Sequence, residues 1–170
     1  MELDRTFLDV GARTLEQLSG RIHTCLDKLS EEQIWFRAAG HENAVGNLVL
    51  HLCGNVRQWI GIAAGDLPDI RERDEEFDAE DGVSRDELKR RLSGTIELAV
   101  GLLRAADASK LERIVHIQKY DVTGLEAIFH SVEHFAQHAG QIMFITKNLT
   151  SGDLEFYRHL SRPAHSEKTP

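Results

Sequence analysis

The chain has 170 residues, a formal charge of −8 at pH 7 and 41% hydrophobic residues, enough for one domain with its own core. A chain of this size needs no disulfide or structural metal to fold, so a metal held here would serve function. The acidic balance, without any block of Lys and Arg, argues against a nucleic-acid partner and against an anionic membrane surface.

No window approaches the roughly 20 apolar residues of a membrane span. Met1-Glu2-Leu3-Asp4-Arg5 lacks the apolar core of a signal peptide, so a cytoplasmic protein is expected.

The first helix is expected from Asp4 to Leu29, with Phe7, Leu8, Leu15, Leu18, Ile22, Leu26 and Leu29 at helical period. Ser30-Glu31-Glu32-Gln33 reads as a capping box opening a short helix through Trp35, and Gly40 to Asn43 as a loop. The next long helix starts between Ala44 and Asn47 and ends at Gly65, read as the left-handed residue after its last turn. Leu48, Leu52, Val56, Trp59, Ile60 and Ala63 form its apolar face, and Asn47, His51 and Asn55 a polar stripe.

Cys53 lies two positions after His51 and so points about 200° away from it on a helix, which removes a local Cys–His nucleophile. With no C-x-x-C, Cys25 and Cys53 read as buried, reduced thiols.

Asp66 to Gly82 holds nine acidic and two basic residues and reads as a solvated connection. A cation-binding loop is the lesser alternative, since the calcium-loop pattern is absent. Ser84-Arg85-Asp86-Glu87 reads as a second capping box, opening a helix to Ala106 with Leu88, Leu92, Ile96, Ala99, Val100 and Leu103 inward. Ile114 to Tyr120 is expected to be extended. Thr123-Gly124-Leu125-Glu126 is a third capping box, and its helix runs to about Leu149. The reading is one domain over residues 1–157, with a polar, flexible tail over 158–170. Four long helices and one long crossover give an all-α four-helix bundle.

The last helix carries His130, His134 and His138, four residues apart. Neighbours at that spacing lie on one side of a helix, separated by about 6 Å of rise. Two such imidazoles can share one ion, and His51 on another apolar helix can join them inside a bundle. His130 and His138 are about 12 Å apart along the axis, too far for one straight helix to give all three to a metal with bonds near 2.0–2.1 Å. The spacing leaves two choices, His134 with His138 or His130 with His134.

Gln137 and Gln141 stand near as hydrogen-bond partners for the ligands, and Gly140 in a helix interior implies a close backbone approach. H-E-x-x-H, E-x-x-H, G-x-S-x-G, P-loop and dinucleotide-binding patterns are all absent. Glu133 faces about 100° away from His134, so no general base stands beside the histidines. His23, His41, His116, His159 and His165 carry no assignment.

Gly46-Asn47-Leu48-Val49-Leu50-His51-Leu52 on the second long helix, with Glu133-His134 and His138-Ala139-Gly140-Gln141-Ile142 on the last, resembles the DinB-like superfamily and its YfiT-like metal-dependent members. The stretch from Thr146 to Leu154 fits one of its branches of unknown function. The resemblance covers the chain from the first helix to about Tyr157.

It implies a four-helix bundle of up-down-down-up topology, often a homodimer, that holds one divalent ion, nickel or zinc, on three histidines. The matching positions are His51, His134 and His138. His130, Gln141 and Asn47 are then supporting residues or alternative ligands. Relatives include transferases and isomerases that use low-molecular-weight thiols, so the expected function is metal-dependent thiol transfer to a small-molecule substrate. A metal-dependent hydrolase or a non-catalytic metal-binding bundle is the alternative, and histidines that serve only packing or the surface are the plainest one.

Overall fold

The computed structural model describes residues 2–158. Four long helices dominate it: α1 (Leu3–Lys28), α3 (Val45–Gly65), α5 (Arg85–Ala105) and α7 (Gly124–Thr150). Between them lie α2 (Glu31–Ile34), α4 (Arg73–Asp78), α6 (Ala108–Glu112) and a hairpin of β1 (Ile114–Ile117) and β2 (Tyr120–Thr123).

Two of the long helices, α5 and α7, begin where a side chain satisfies a free backbone N–H group. Ser84 and Thr123 accept from the third residue of their helices, and Glu126 closes the reciprocal box with Thr123. The box expected at Ser84 is only half formed, because the Glu87 carboxylate is bound by Arg90 and Arg91 on its own helix. At the far end of α5, the Arg5 guanidinium donates to the carbonyls of Leu103 and Arg104 at 3.1 and 2.9 Å, where a cation also suits the helix dipole.

α1 and α3 each pack against both α5 and α7, so they lie diagonally across the bundle. Lys89 near the start of α5 meets Asp27 near the end of α1, which sets that pair antiparallel. Asn55 faces Ser131 and Trp59 faces His130, so α3 runs against α7. Gly65 packs on Leu102, which puts the ends of α3 and α5 together. The resulting order is up-down-down-up, as the resemblance implied. The core runs along the bundle through Leu8, Leu15, Ile22, Leu52, Ile60, Leu88, Leu92, Leu103 and Phe135, all without solvent exposure.

Three connections differ from the sequence reading. Gly65 remains helical, and Asp66 takes the left-handed conformation at φ 53°. A Cβ on Gly65 would stand 2.7 Å from Leu102, so glycine is there for contact between helices. Asp can adopt the left-handed region at modest cost, and Lys110 and Arg113 bind its carboxylate. Ile114 to Tyr120 does not run on as one extended segment. It turns at Gln118 (φ 59°), and Ile117 pairs with Tyr120. The acidic connection from Asp66 to Gly82 contains α4 and lies on α3. Of the tail expected over 158–170, residues 159–170, with His159 and His165, lie outside the described residues.

Candidate metal centre

α3 is buried on nearly every side, and its polar stripe points into protein: Asn47, His51 and Asn55 are all buried. Polar groups placed there need partners. Asn55 accepts from Ser131 at 3.3 Å. Asn47 accepts from the Ala44 N–H and from Arg37, and its amide donates to the carbonyls of Glu76, Phe77 and Ala79. Asn47 thus straps the α4 segment to α3, and its hydrogen bonds go to this strap and not to the histidines.

His51 projects from α3 toward His134 and His138 on α7. One ring nitrogen from each of the three comes within 4.8 Å of the others. His51 Nε2 stands 2.8 Å from His134 Nε2, and the rings of His134 and His138 lie edge to face at 4.4 Å. Bonds of about 2.0–2.1 Å to a shared ion would set the nitrogens a little over 3 Å apart in a tetrahedral site. Small ring rotations accommodate that, so the donors fit one divalent ion.

Of the two pairings the spacing left open, the fold brings His134 and His138 together with His51. His130 is outside the cluster; it stacks on His134 at 5.6 Å and lies tilted against Trp59 at 4.3 Å.

Each imidazole is prepared by its surroundings. Burial lowers the pKa of His134 to about 4, helped by the neighbouring His138, His51 and His130. Burial also lowers that of His138, against a hydrogen bond with Gln141 that raises it. Both rings are therefore neutral at pH 7 and have a lone pair to offer. Gln141 Oε1 lies 2.7 Å from His138 Nδ1, so it accepts that N–H and leaves Nε2 free. Gln137 instead donates to Glu133 on the outer face.

The most important partner comes from the acidic segment. Glu76 is buried, and its Oε2 lies 3.0 Å from His51 Nδ1. Arg71 grips the same carboxylate with two bonds, Nε to Oε1 and Nη2 to Oε2, both 2.7 Å. Burial pushes the Glu76 carboxyl up, but hydrogen bonds from Arg71 and His51 together outweigh it, so its pKa lies below the usual range. The ionised carboxylate accepts from Nδ1–H and fixes the tautomer whose Nε2 lone pair faces the cluster.

Arg71 is held in turn by Gln58, which also bonds Asp69 and the hairpin residue Gln118. The segment read as a solvated connection therefore supplies the carboxylate that orients His51.

Gly54 makes this approach possible. Any Cβ on it would clash with Glu76 Oε1 and sit 2.8 Å from Cδ. Gly140, where a close approach was expected, has none of the described residues within 4 Å of a Cβ position. The other described histidines stand apart. His23 meets Ser93 and His116 meets Asp121 at the surface. Cys25 and Cys53 are free thiols, Cys25 buried and Cys53 partly so. Among the described residues no helix is long and apolar enough to cross a membrane.

The chain resembles several solved structures. A conserved protein from Enterococcus faecalis matches with a TM-score of 0.71 at 15% identity, over 89% of this chain and 99% of that one. A DinB-like protein, YjoA from Bacillus subtilis, matches with a TM-score of 0.67 at 16% identity, over 86% and 96%. At such identities the likeness establishes the fold. No curated protein matches by sequence. The family described as "Protein of unknown function (DUF1572)" matches residues 2–164. The chain belongs to this DUF1572 family and carries the DinB-like fold.

Proposed function

We propose that the protein is a divalent-metal enzyme whose ion, nickel or zinc, is held by His51, His134 and His138, and that it transfers a low-molecular-weight thiol to a small electrophile. The convergence of three imidazoles from two helices, one of them backed by a buried carboxylate, carries this reading. When bound, a divalent ion on three neutral ligands keeps its positive charge and lowers the pKa of a coordinated thiol or water.

The protein's own groups favour thiol transfer over hydrolysis. Both Glu76 oxygens are engaged by Arg71 and His51, so this carboxylate orients His51 and is not free to take a proton from water. Attack by a thiolate sulfur needs no general base on the protein. Cys25 and Cys53 are poor nucleophiles for the role, because burial raises the pKa of both. The thiol is therefore a separate small molecule.

The test uses zinc- or nickel-loaded protein with 2-mercaptoethanol and 1-chloro-2,4-dinitrobenzene. The sulfur bonds to the ring carbon, chloride leaves and the thiol proton passes to solvent. Metal-dependent formation of the aryl thioether, lost in His51→Ala, is the expected result. Fully loaded protein without turnover on this and other electrophiles would contradict the transferase reading.

A further inference from the structure

Beside the histidine cluster lies a cleft of about 690 Å³ that neither the metal nor the fold requires. Its position follows from the antiparallel pair α3 and α7. Leu48 precedes His51 by three residues and Gln141 follows His138 by three, so both helices lead from the cluster toward the same end. Each step is about 4.5 Å of rise, so the cleft opens within one turn of the ligands. Gln141 belongs to both places: it binds His138 and lines the cleft.

The apolar part of the wall is Phe36, Leu48, Phe144, Ile145 and Leu149, and uncharged amides, Asn148 among them, share the lining. Phe144 is 67% exposed and Phe36 51%, an unusual outlay of aromatic surface beside a polar site. Among the described residues no Lys or Arg lines the cleft, and the acidic Glu42 in its wall is turned to the backbone N–H of Ala38. A carboxylate or phosphate on the ligand's body would find no counter-charge there. The volume is in the range that encloses a small molecule.

We infer that this cleft binds the apolar body of the substrate: an uncharged aromatic or branched aliphatic group whose single metal-seeking head reaches the histidine cluster past Gln141. The inference rests on the metal-site reading above and adds the substrate class to it. Gly140 also lines the cleft and has free space at its Cβ position, so a larger side chain can be introduced there without disturbing the helix.

The test is calorimetric titration of zinc-loaded protein with ethanethiol and with 2-phenylethanethiol, with zinc content measured on the same samples. The phenyl compound is expected to bind roughly tenfold or more tighter, the gain from burying a ring of that size. Gly140→Leu, which fills the cleft, and Phe144→Ala, which removes a wall, should both bring the ratio toward one. Equal affinities in wild-type protein carrying about one zinc per chain would overturn the cleft assignment and leave the metal site standing. Failure to retain zinc would sink the metal site, and the assignment of this cleft to a substrate would go with it.

Discussion

Glu76 and His51 show why part of the site could be read in the sequence and part could not. Three histidines at four-residue spacing are a visible pattern, and His51 stood out in the polar stripe of an otherwise apolar helix. Glu76 is one of nine acidic residues in a short segment, and nothing in the residue order marks the one that turns inward. It is singled out only by Asn47, Gly54 and Arg71, which become its neighbours once the segment lies on α3.

Glu76→Gln should weaken zinc binding about 10- to 100-fold, the usual effect of losing an outer carboxylate partner. Competition with a chromogenic chelator would measure it, and an unchanged affinity would show that Glu76 does not act on the metal. Cys53 offers a second check. Burial pushes its pKa up to about 11, so iodoacetamide should modify it very slowly at pH 8 in folded protein and readily after unfolding.

The long helices were legible from their apolar period, reinforced by capping residues at the starts of α5 and α7. Their limits fell within a few residues of expectation, from Ser84 opening α5 to Thr123 opening α7. α4 and α6 were not legible. Helices of six and five residues have too few turns to show a period, and α4 is held by tertiary bonds from Asn47 and Arg37. The hairpin turn was hidden because Gln118, not Gly or Asn, takes the positive φ.

Two helical glycines now separate. Gly140→Ala should stabilise the protein by about 0.5–1 kcal/mol, because the helix gains and nothing is crowded. Gly54→Ala carries the same intrinsic gain, yet it should destabilise the protein and weaken its metal binding, because the new methyl group displaces Glu76. Thermal or urea unfolding of both variants tests this, and equal effects would contradict the account of Gly54.

Across the whole molecule, the ties between elements are as informative as the core. Asp66 joins the end of α3 to α6 and to the start of the hairpin through Lys110 and Arg113. Their hydrogen bonds hold its carboxyl below the ordinary 3.8. As pH falls, the unfolded chain takes up this proton before the folded one does. The stabilisation is therefore complete above pH 4 and drains away as pH drops through the lowered value. The melting temperature of wild type should fall more steeply below pH 4 than that of Asp66→Asn, and parallel profiles would remove Asp66 from the list of ties.

The same closeness of distant segments produces the site, since α3, the α4 segment and α7 meet only in the finished bundle. The central claim is that their meeting point holds one divalent ion. Its most direct test is metal content by mass spectrometry on untagged protein, wild type beside His134→Ala, after loading with zinc or nickel and desalting. The account predicts about one ion per chain in the wild type and almost none in the variant, with the helical content of both unchanged. Equal metal in both, or none in either, would contradict it.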